Sequence, residues 1–340
     1  MKALVVGGTG FVGMNVVRAL VRAGHDVIAT RRNRANTLFA RRLGARLEVA
    51  ELDDPDSLVR AMTGREVVFM CAGHYPRFSL DLDAETSFAR RQIRTTLDAA
   101  RTAGVRRFVF TSSIATVGPP REGRSLSNET DPPSKAALDS VYIAVKNTLE
   151  SEVLQAHGRG LDCVVLCPTG IVGELDVKVG TGFVIVALAH GRLPFYIDGP
   201  TNVVDADDLA LAHVVAAERG RSGERYIVNG HNLSVREMLD AVSEELGIPV
   251  RAARLPLGLA GPLATFDELR CSAKGRGARP FMAREFVDIV RHGQRVDRSK
   301  GAIELGLPAP TPLMTTLRKA CRWYGRHGYL PKPESNEARP

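Results

Sequence analysis

Through the first half of the chain, short apolar runs rich in branched residues alternate with longer amphipathic stretches. Ala3–Val6 predicts a buried strand, Gly7–Gly13 a glycine-rich turn, Phe11–Ala23 an amphipathic helix and Asp26–Thr30 a second strand, together a βαβ unit. The pattern recurs: Leu47–Glu51, Val67–Cys71, Phe108–Ser112 and Cys163–Cys167 read as strands, separated by helical segments near Pro55–Met62, Thr86–Ala103 and Val141–His157. Strands that are apolar on both faces and separated by helices predict a parallel sheet covered on both sides, the α/β doubly wound architecture.

Beyond residue 170 the alternation loosens. Gly170–Gly199 is rich in glycine and apolar residues, and Val203–Arg219 returns to a helical pattern. Arg225–Val228 reads as a strand and Ser234–Leu246 as a helix, with Ser234 at the N-cap and Glu237 at the capping-box position. Arg251–Arg279 holds several glycines and prolines, and helical stretches at Ala283–His292 and Thr311–His327 follow. The expected organisation is a dinucleotide-binding domain over 1–170 with returning segments near 200–230, a smaller C-terminal substrate-binding lobe over 171–330, and a disordered polar tail at 331–340.

Composition narrows the class. The 340 residues are 44% hydrophobic and 25% charged, ordinary globular usage that fits neither a membrane bundle nor an acidic solvating chain. Net charge is +8 and the pI near 9.5, but the basic residues are scattered and only eight are Lys, so nucleic acid is not indicated. The longest later apolar run, Phe183–Ala189, is far below the roughly 20 residues of a membrane span, and the glycines that break the N-terminal apolar run assign it to the fold rather than to a leader. Five cysteines, at 71, 163, 167, 271 and 321, form no CxxC and no zinc-like cluster, which fits a reducing cytoplasm and no metal. Cys163 and Cys167 face the same side of one strand, too far apart for a disulfide, and read as core. His74 and His213 read as structural, and Asp205, Asp207 and Asp208 as the cap of a helix.

Gly7, Gly10 and Gly13 form G-x-x-G-x-x-G between a strand and a helix, the context of a dinucleotide-binding turn. Glycine lets the backbone approach a pyrophosphate, and the helix N-terminus attracts it. At the end of the second strand, where a free 2′-hydroxyl would meet a carboxylate, the chain has Arg31 and Arg32. Guanidinium groups pair with a 2′-phosphate, so NADP is favoured over NAD. Tyr142 and Lys146 lie at i and i+4 on one helix face, where a cation favours the ionised phenol and suits it to proton exchange. Thr111, Ser112 and Ser113 end a strand at the carboxyl edge of the sheet, where a hydroxyl can polarise a carbonyl.

With these motifs together, the sequence resembles the extended short-chain dehydrogenase/reductase superfamily, the NAD-dependent epimerase/dehydratase family, over roughly residues 2–330. GGTGFVG at 7–13, AELDDPDSL at 50–58, CAG at 71–73, VFTSSIATVG at 109–118, YIAVK at 142–146 and PTGIVG at 168–173 carry the resemblance. Residues 191–230 look most like the dihydroflavonol-4-reductase-like branch, which includes the hopanoid-associated sugar epimerase group. The resemblance implies a Rossmann fold, with Tyr142 as acid/base, Lys146 on the nicotinamide ribose and Ser113 holding the substrate oxygen, Ser112 being the alternative. It further implies Thr9, Phe11 and Val12 at the pyrophosphate turn and Glu51 and Leu52 at the adenine. Cys71, Ala72 and Gly73 would pass under the cofactor, and Pro168 and Thr169 would flank the nicotinamide. A homodimer is implied as well. Two departures stand out: Ala89-Arg90-Arg91-Gln92-Ile93 replaces the usual Asn-Val-x-Gly-Thr, and Ile171-Val172-Gly173-Glu174 replaces Tyr-Gly-Pro.

The expected function is hydride transfer between a nicotinamide and a ketone or secondary alcohol of a largely apolar small molecule. The expected wall is His74, Tyr75, Phe78, Phe183, Val184, Ile185, Phe195, Tyr196, Phe266, Met282 and Phe286. The alternatives are a nucleotide-sugar epimerase or dehydratase that regenerates its NAD each cycle, and a dinucleotide-sensing protein without turnover. For a sugar diphosphate, Arg192, Arg251, Arg254 and Arg279 would have to converge.

Overall fold

Alternate residues of each buried strand serve two different cores, as the period of two along an extended chain dictates. The computed structural model describes residues 1–32, 37–76, 79–273 and 282–331; the tail predicted at 331–340 falls, beyond Pro331, outside them, as do Phe78 and Arg279. The chain runs β1 (Lys2–Val6), α1 (Phe11–Arg22), β2 (Asp26–Arg31), α2 (Leu38–Arg41), β3 (Arg46–Val49), α3 (Pro55–Met62), β4 (Val67–Met70), α4 (Leu82–Thr102), β5 (Arg107–Thr111), α5 (Val141–His157) and β6 (Cys163–Pro168). It continues through β7 (Gly170–Val172), α6 (Phe183–Ala189), β8 (Phe195–Tyr196), β9 (Pro200–Asp205), α7 (Ala206–Arg219), β10 (Arg225–Val228), β11 (His231–Ser234) and α8 (Val235–Leu246). Last come β12 (Ala253–Arg254), α9 (Leu257–Ala273), α10 (Arg284–Arg291) and α11 (Leu313–Arg326).

Seven strands form one parallel sheet in the order β10-β6-β5-β4-β1-β2-β3. Leu4 and Val6 of β1, Val68 and Met70 of β4, and Phe108 and Phe110 of β5 face a core closed by α3, α4 and α5. Ala3, Val5, Val67, Phe69 and Val109 face the other, closed by α1 and α7. Each wholly buried Phe contributes about 1.5–3 kcal/mol. The strand order reverses between β1 and β4, which is the switch point of a doubly wound sheet and the place where its ligands bind.

Local signals start the helices where side chains satisfy the first-turn N–H groups. Asp54 accepts from Ser57 N at 3.1 Å ahead of α3, and Asp81 from Ala84 N at 2.9 Å ahead of α4, so α4 begins at Leu82, earlier than Thr86. The expected capping box is present: Ser234 and Glu237 cap α8 reciprocally, at 3.1 and 2.6 Å. The helical reading of Val203–Arg219 needs correction, because Val203–Asp205 belongs to β9, paired with β11 and β7, and the helix starts only at Ala206. Asp205 is both the last residue of that strand and the N-cap of α7, accepting from Asp207 N at 2.8 Å. The smaller lobe packs α6, α8 and α11 on the β11-β9-β7 sheet through Ile185, Leu188, Met238, Leu317 and Trp323.

His213 of α7 is fully buried against this framework. Its Nδ1 donates to Leu209 O at 2.8 Å, so the neutral Nε2 accepts from Thr111 Oγ1 at 2.7 Å. Burial pushes its pKa down from 6.5 to about 4. A histidine held neutral stabilises the fold fully above its unfolded pKa, and the contribution drains away as pH falls from 6.5 toward 4, by about 2 kcal/mol at pH 5. Denaturant unfolding of wild type and His213→Gln at pH 8 and pH 5 should therefore show a drop in the wild type larger by about this amount. Equal drops would contradict the assignment.

Candidate active site

The strands of the sheet all deliver their carboxyl ends to one edge, and the predicted residues collect there. The turn after β1 is built on contacts that only glycine permits. Gly7 has φ +84°, and a Cβ on Gly13 would lie 2.2 Å from Gly7 O. Gly7 also lies against Ala72, which follows β4, and its N–H donates to Thr30 Oγ1 at 3.0 Å. A Cβ on Gly10 would meet only Gly7 O, at 3.3 Å, and otherwise enter open space above the turn. Gly10 is the N-cap of α1, without a side-chain cap and with no acidic residue in the first turn. This arrangement fits a pyrophosphate: a cradle a side chain would fill, facing N–H groups of Phe11 and Val12 at a helix N-terminus, with Thr9 in the turn between.

The other cofactor candidates sit at neighbouring strand ends. Arg31 closes β2, with Arg32 exposed beside it. Glu51 and Leu52 follow β3, where Glu51 N donates to Ser57 Oγ at 3.2 Å. Cys71, Ala72 and Gly73 follow β4; Cys71 Sγ is 3.6 Å from Thr111 Oγ1. Pro168 ends β6, and Thr169 is buried with its hydroxyl 3.2 Å from Asn229 Oδ1.

Ser113 and Tyr142 are brought together, their hydroxyls 3.2 Å apart. Ser113 begins a short 3-10 turn, Ile114–Thr116, and its Oγ accepts from Ala115 N at 3.2 Å. Tyr142 opens α5, and Lys146 follows one turn later on the same face, both half-buried. Ser112 goes elsewhere: buried, it donates to Glu150 rather than meeting Tyr142. The ring of Tyr75 packs on Tyr142 with centroids 5.5 Å apart. His74 is bonded to Glu85 and lies against Phe88 at 4.7 Å. The segment beyond the 3-10 turn is fixed as well, since a Cβ on Gly118 would lie 1.8 Å from Pro132 O and Gln294 donates to Val117 O.

Of the expected apolar wall, Tyr75, Phe183, Phe195, Phe266 and Phe286 are exposed, while Val184, Tyr196 and Met282 are intermediate. Ile185 is wholly buried in the lobe core and cannot serve, because the i, i+3 spacing that turns Leu188 inward carries Ile185 with it. The acidic trio caps and pairs: Lys319 Nζ is 2.8 Å from Asp205, Arg18 is 2.7 Å from Asp207, and Asp208 accepts from Thr311 N at 2.7 Å. Among the described residues no cluster of three metal-binding side chains occurs, and no helix is long and apolar enough to cross a membrane. Sequence reasoning missed Glu150, Thr116 and Arg225, which stand behind Ser113. For Glu150 a signal existed in the Tyr142, Lys146, Glu150 spacing of four and four.

Comparison with known proteins agrees with this architecture. The NAD dependent epimerase/dehydratase family model matches residues 3–229. A putative dihydroflavonol 4-reductase of Synechocystis is 31% identical, over 96% of this chain and 95% of that protein. A sterol demethylase protein B of Methylococcus capsulatus is 29% identical, over 97% of this chain and all of that one. Among solved structures, a nucleoside-diphosphate-sugar epimerase from Pseudomonas aeruginosa superposes with a TM-score of 0.81 at 29% identity, covering 97% of this chain and 99% of that one. The sheet, the glycine turn and these relatives together make the chain a member of the NAD-dependent epimerase/dehydratase family, an NAD(P)-dependent oxidoreductase of the extended short-chain type.

Proposed function

We propose that this enzyme carries out a net redox reaction, using NADP in preference to NAD, on a ketone or secondary alcohol of a largely apolar small molecule. The observation that carries the reading is the Ser113–Tyr142 hydroxyl pair, 3.2 Å apart at the carboxyl edge of the sheet. When bound, the dinucleotide supplies the hydride, so that ketone, NADPH and a proton become alcohol and NADP⁺. Tyr142 delivers that proton to the substrate oxygen, and Ser113 holds the same oxygen by a hydrogen bond. Lys146, one turn along α5, binds the nicotinamide ribose and favours the phenolate left on Tyr142. Gly7, Gly10 and Gly13 hold the pyrophosphate, and Arg31 and Arg32 the 2′-phosphate.

Tyr75, exposed with its ring on Tyr142, supports an apolar substrate face. The relative named for sterol demethylation fits the same substrate class. A sugar diphosphate is less well served, because Arg254, one of the cations it would need, is engaged with Asp198 at 3.8 Å. A homodimer and a cytoplasmic location belong to this proposal too, in line with the family.

Tyr142→Phe keeps the ring and removes the proton donor, so turnover should fall by roughly 10²–10⁴-fold with cofactor affinity nearly unchanged. Retention of more than a few per cent of the rate would refute the acid/base role. Arg31→Asp removes a charge-assisted bond worth about 1.5–3 kcal/mol and should shift the NADPH/NADH preference toward NADH at least tenfold; equal wild-type affinities for the two would overturn the cofactor choice. Gly10→Ala should leave the fold intact and weaken dinucleotide binding, whereas Gly13→Ala should lower the melting temperature itself. Thermal denaturation with and without NADPH separates the two.

A further inference from the structure

We propose that Glu150, paired with Arg225, is a positioning residue that sets the Ser113–Tyr142 hydroxyl pair from behind the active site. The proposal rests on the catalytic reading of Ser113 and Tyr142 given above. Glu150 lies two helical turns beyond Tyr142 and one beyond Lys146, on the same face of α5. It is only 3% exposed. A carboxylate that deep is tolerated only when paired and fully hydrogen-bonded.

Its partners come from the segment that carries Ser113. The Ser112 hydroxyl donates to Oε2, and Thr116 Oγ1 stands 2.7 Å from the same oxygen. Thr116 Oγ1 is also 2.8 Å from the carbonyl oxygen of Ser113, so its proton lies between the two acceptors. Glu150 thus grips the residue before Ser113 and the end of the 3-10 turn after it. Opposite, Arg225 Nη1 is 3.2 Å from Oε1, while Arg225 Nη2 donates to Thr116 O at 3.0 Å and Thr116 Oγ1 at 2.9 Å. Cys167 completes the set, its Sγ 3.6 Å from Oε2, with burial pushing the thiol up to about 12 so that it stays protonated. The nearby Glu129 is turned to Ile227 N, at 2.8 Å. A pair serving stability alone gains nothing by holding both sides of Ser113; apolar side chains would fill the space as well.

Titration of Tyr142 by carbon-13 NMR in uniformly ring-labelled enzyme, assigned with Tyr142→Phe, tests this without a known substrate. The variants are Glu150→Gln, Thr116→Val and the conservative Thr116→Ser. A loosened Ser113 stabilises the phenolate less. The Tyr142 midpoint should therefore rise by about one pH unit in Glu150→Gln and Thr116→Val, and Thr116→Ser should match wild type. NADPH affinity should stay within twofold. A carboxylate acting only as a charge through space would lower the midpoint when removed, so a fall, or no change in both variants, overturns the proposal. If Glu150→Gln does not fold, Thr116→Val, which keeps the charge, decides alone. An ordinary midpoint in the wild type would count instead against Tyr142 as the acid/base.

Discussion

Every strand at the centre of the seven-stranded sheet is buried on both faces, and that constraint governs where chemistry can sit. Polar side chains are admitted at strand ends, where the chain turns into water, or inside only when fully partnered. The parallel arrangement brings all the carboxyl ends to one edge. Gly7, Arg31, Cys71, Ser113 and Thr169 thereby come to that one edge although they span nearly half of the chain. The site is thus a by-product of the way the sheet is covered.

The polar groups that do enter the interior lie directly behind that edge. Thr111 faces the α1/α7 side, where His213 takes its hydroxyl; Ser112 faces the α4/α5 side, where Glu150 does. Successive residues of an extended segment point to opposite faces, so the two contacts hold the end of β5 from both sides before Ser113 leaves the sheet. The precision needed between two hydroxyls 3.2 Å apart comes from this support, since a site is only as rigid as the groups behind it.

Much of the fold was legible because buried parallel strands announce themselves as unbroken apolar runs and helices by their caps. The glycine turn and the Tyr142–Lys146 spacing were legible for the same local reason. What could not be read was non-local. Val203–Asp205 looked helical because its strand character depends on partners at His231–Ser234 and Gly170–Val172. The α9 helix was hidden by Gly258, Gly261 and Pro262, local breakers that its packing against α10 overrides. The choice between Ser112 and Ser113 turns on one residue of register, and the ion pair of Glu150 with Arg225 joins elements with no spacing signal between them. The two departures from the family pattern also have local consequences: Ala89 and Ile93 lie in the core under α4, and Glu174 pairs with Arg18 at 2.7 Å.

The proposed net hydride transfer at this edge differs from the internal hydride return of an epimerase in where the hydride ends. NADPH carrying deuterium at the transferred position, incubated with a panel of apolar ketones and nucleotide sugars and followed by mass spectrometry, tests it most directly. One deuterium is expected at the new carbinol carbon of an apolar product for each NADP⁺ formed. An isomerised nucleotide sugar that carries no deuterium, formed without net oxidation of the added cofactor, would contradict it.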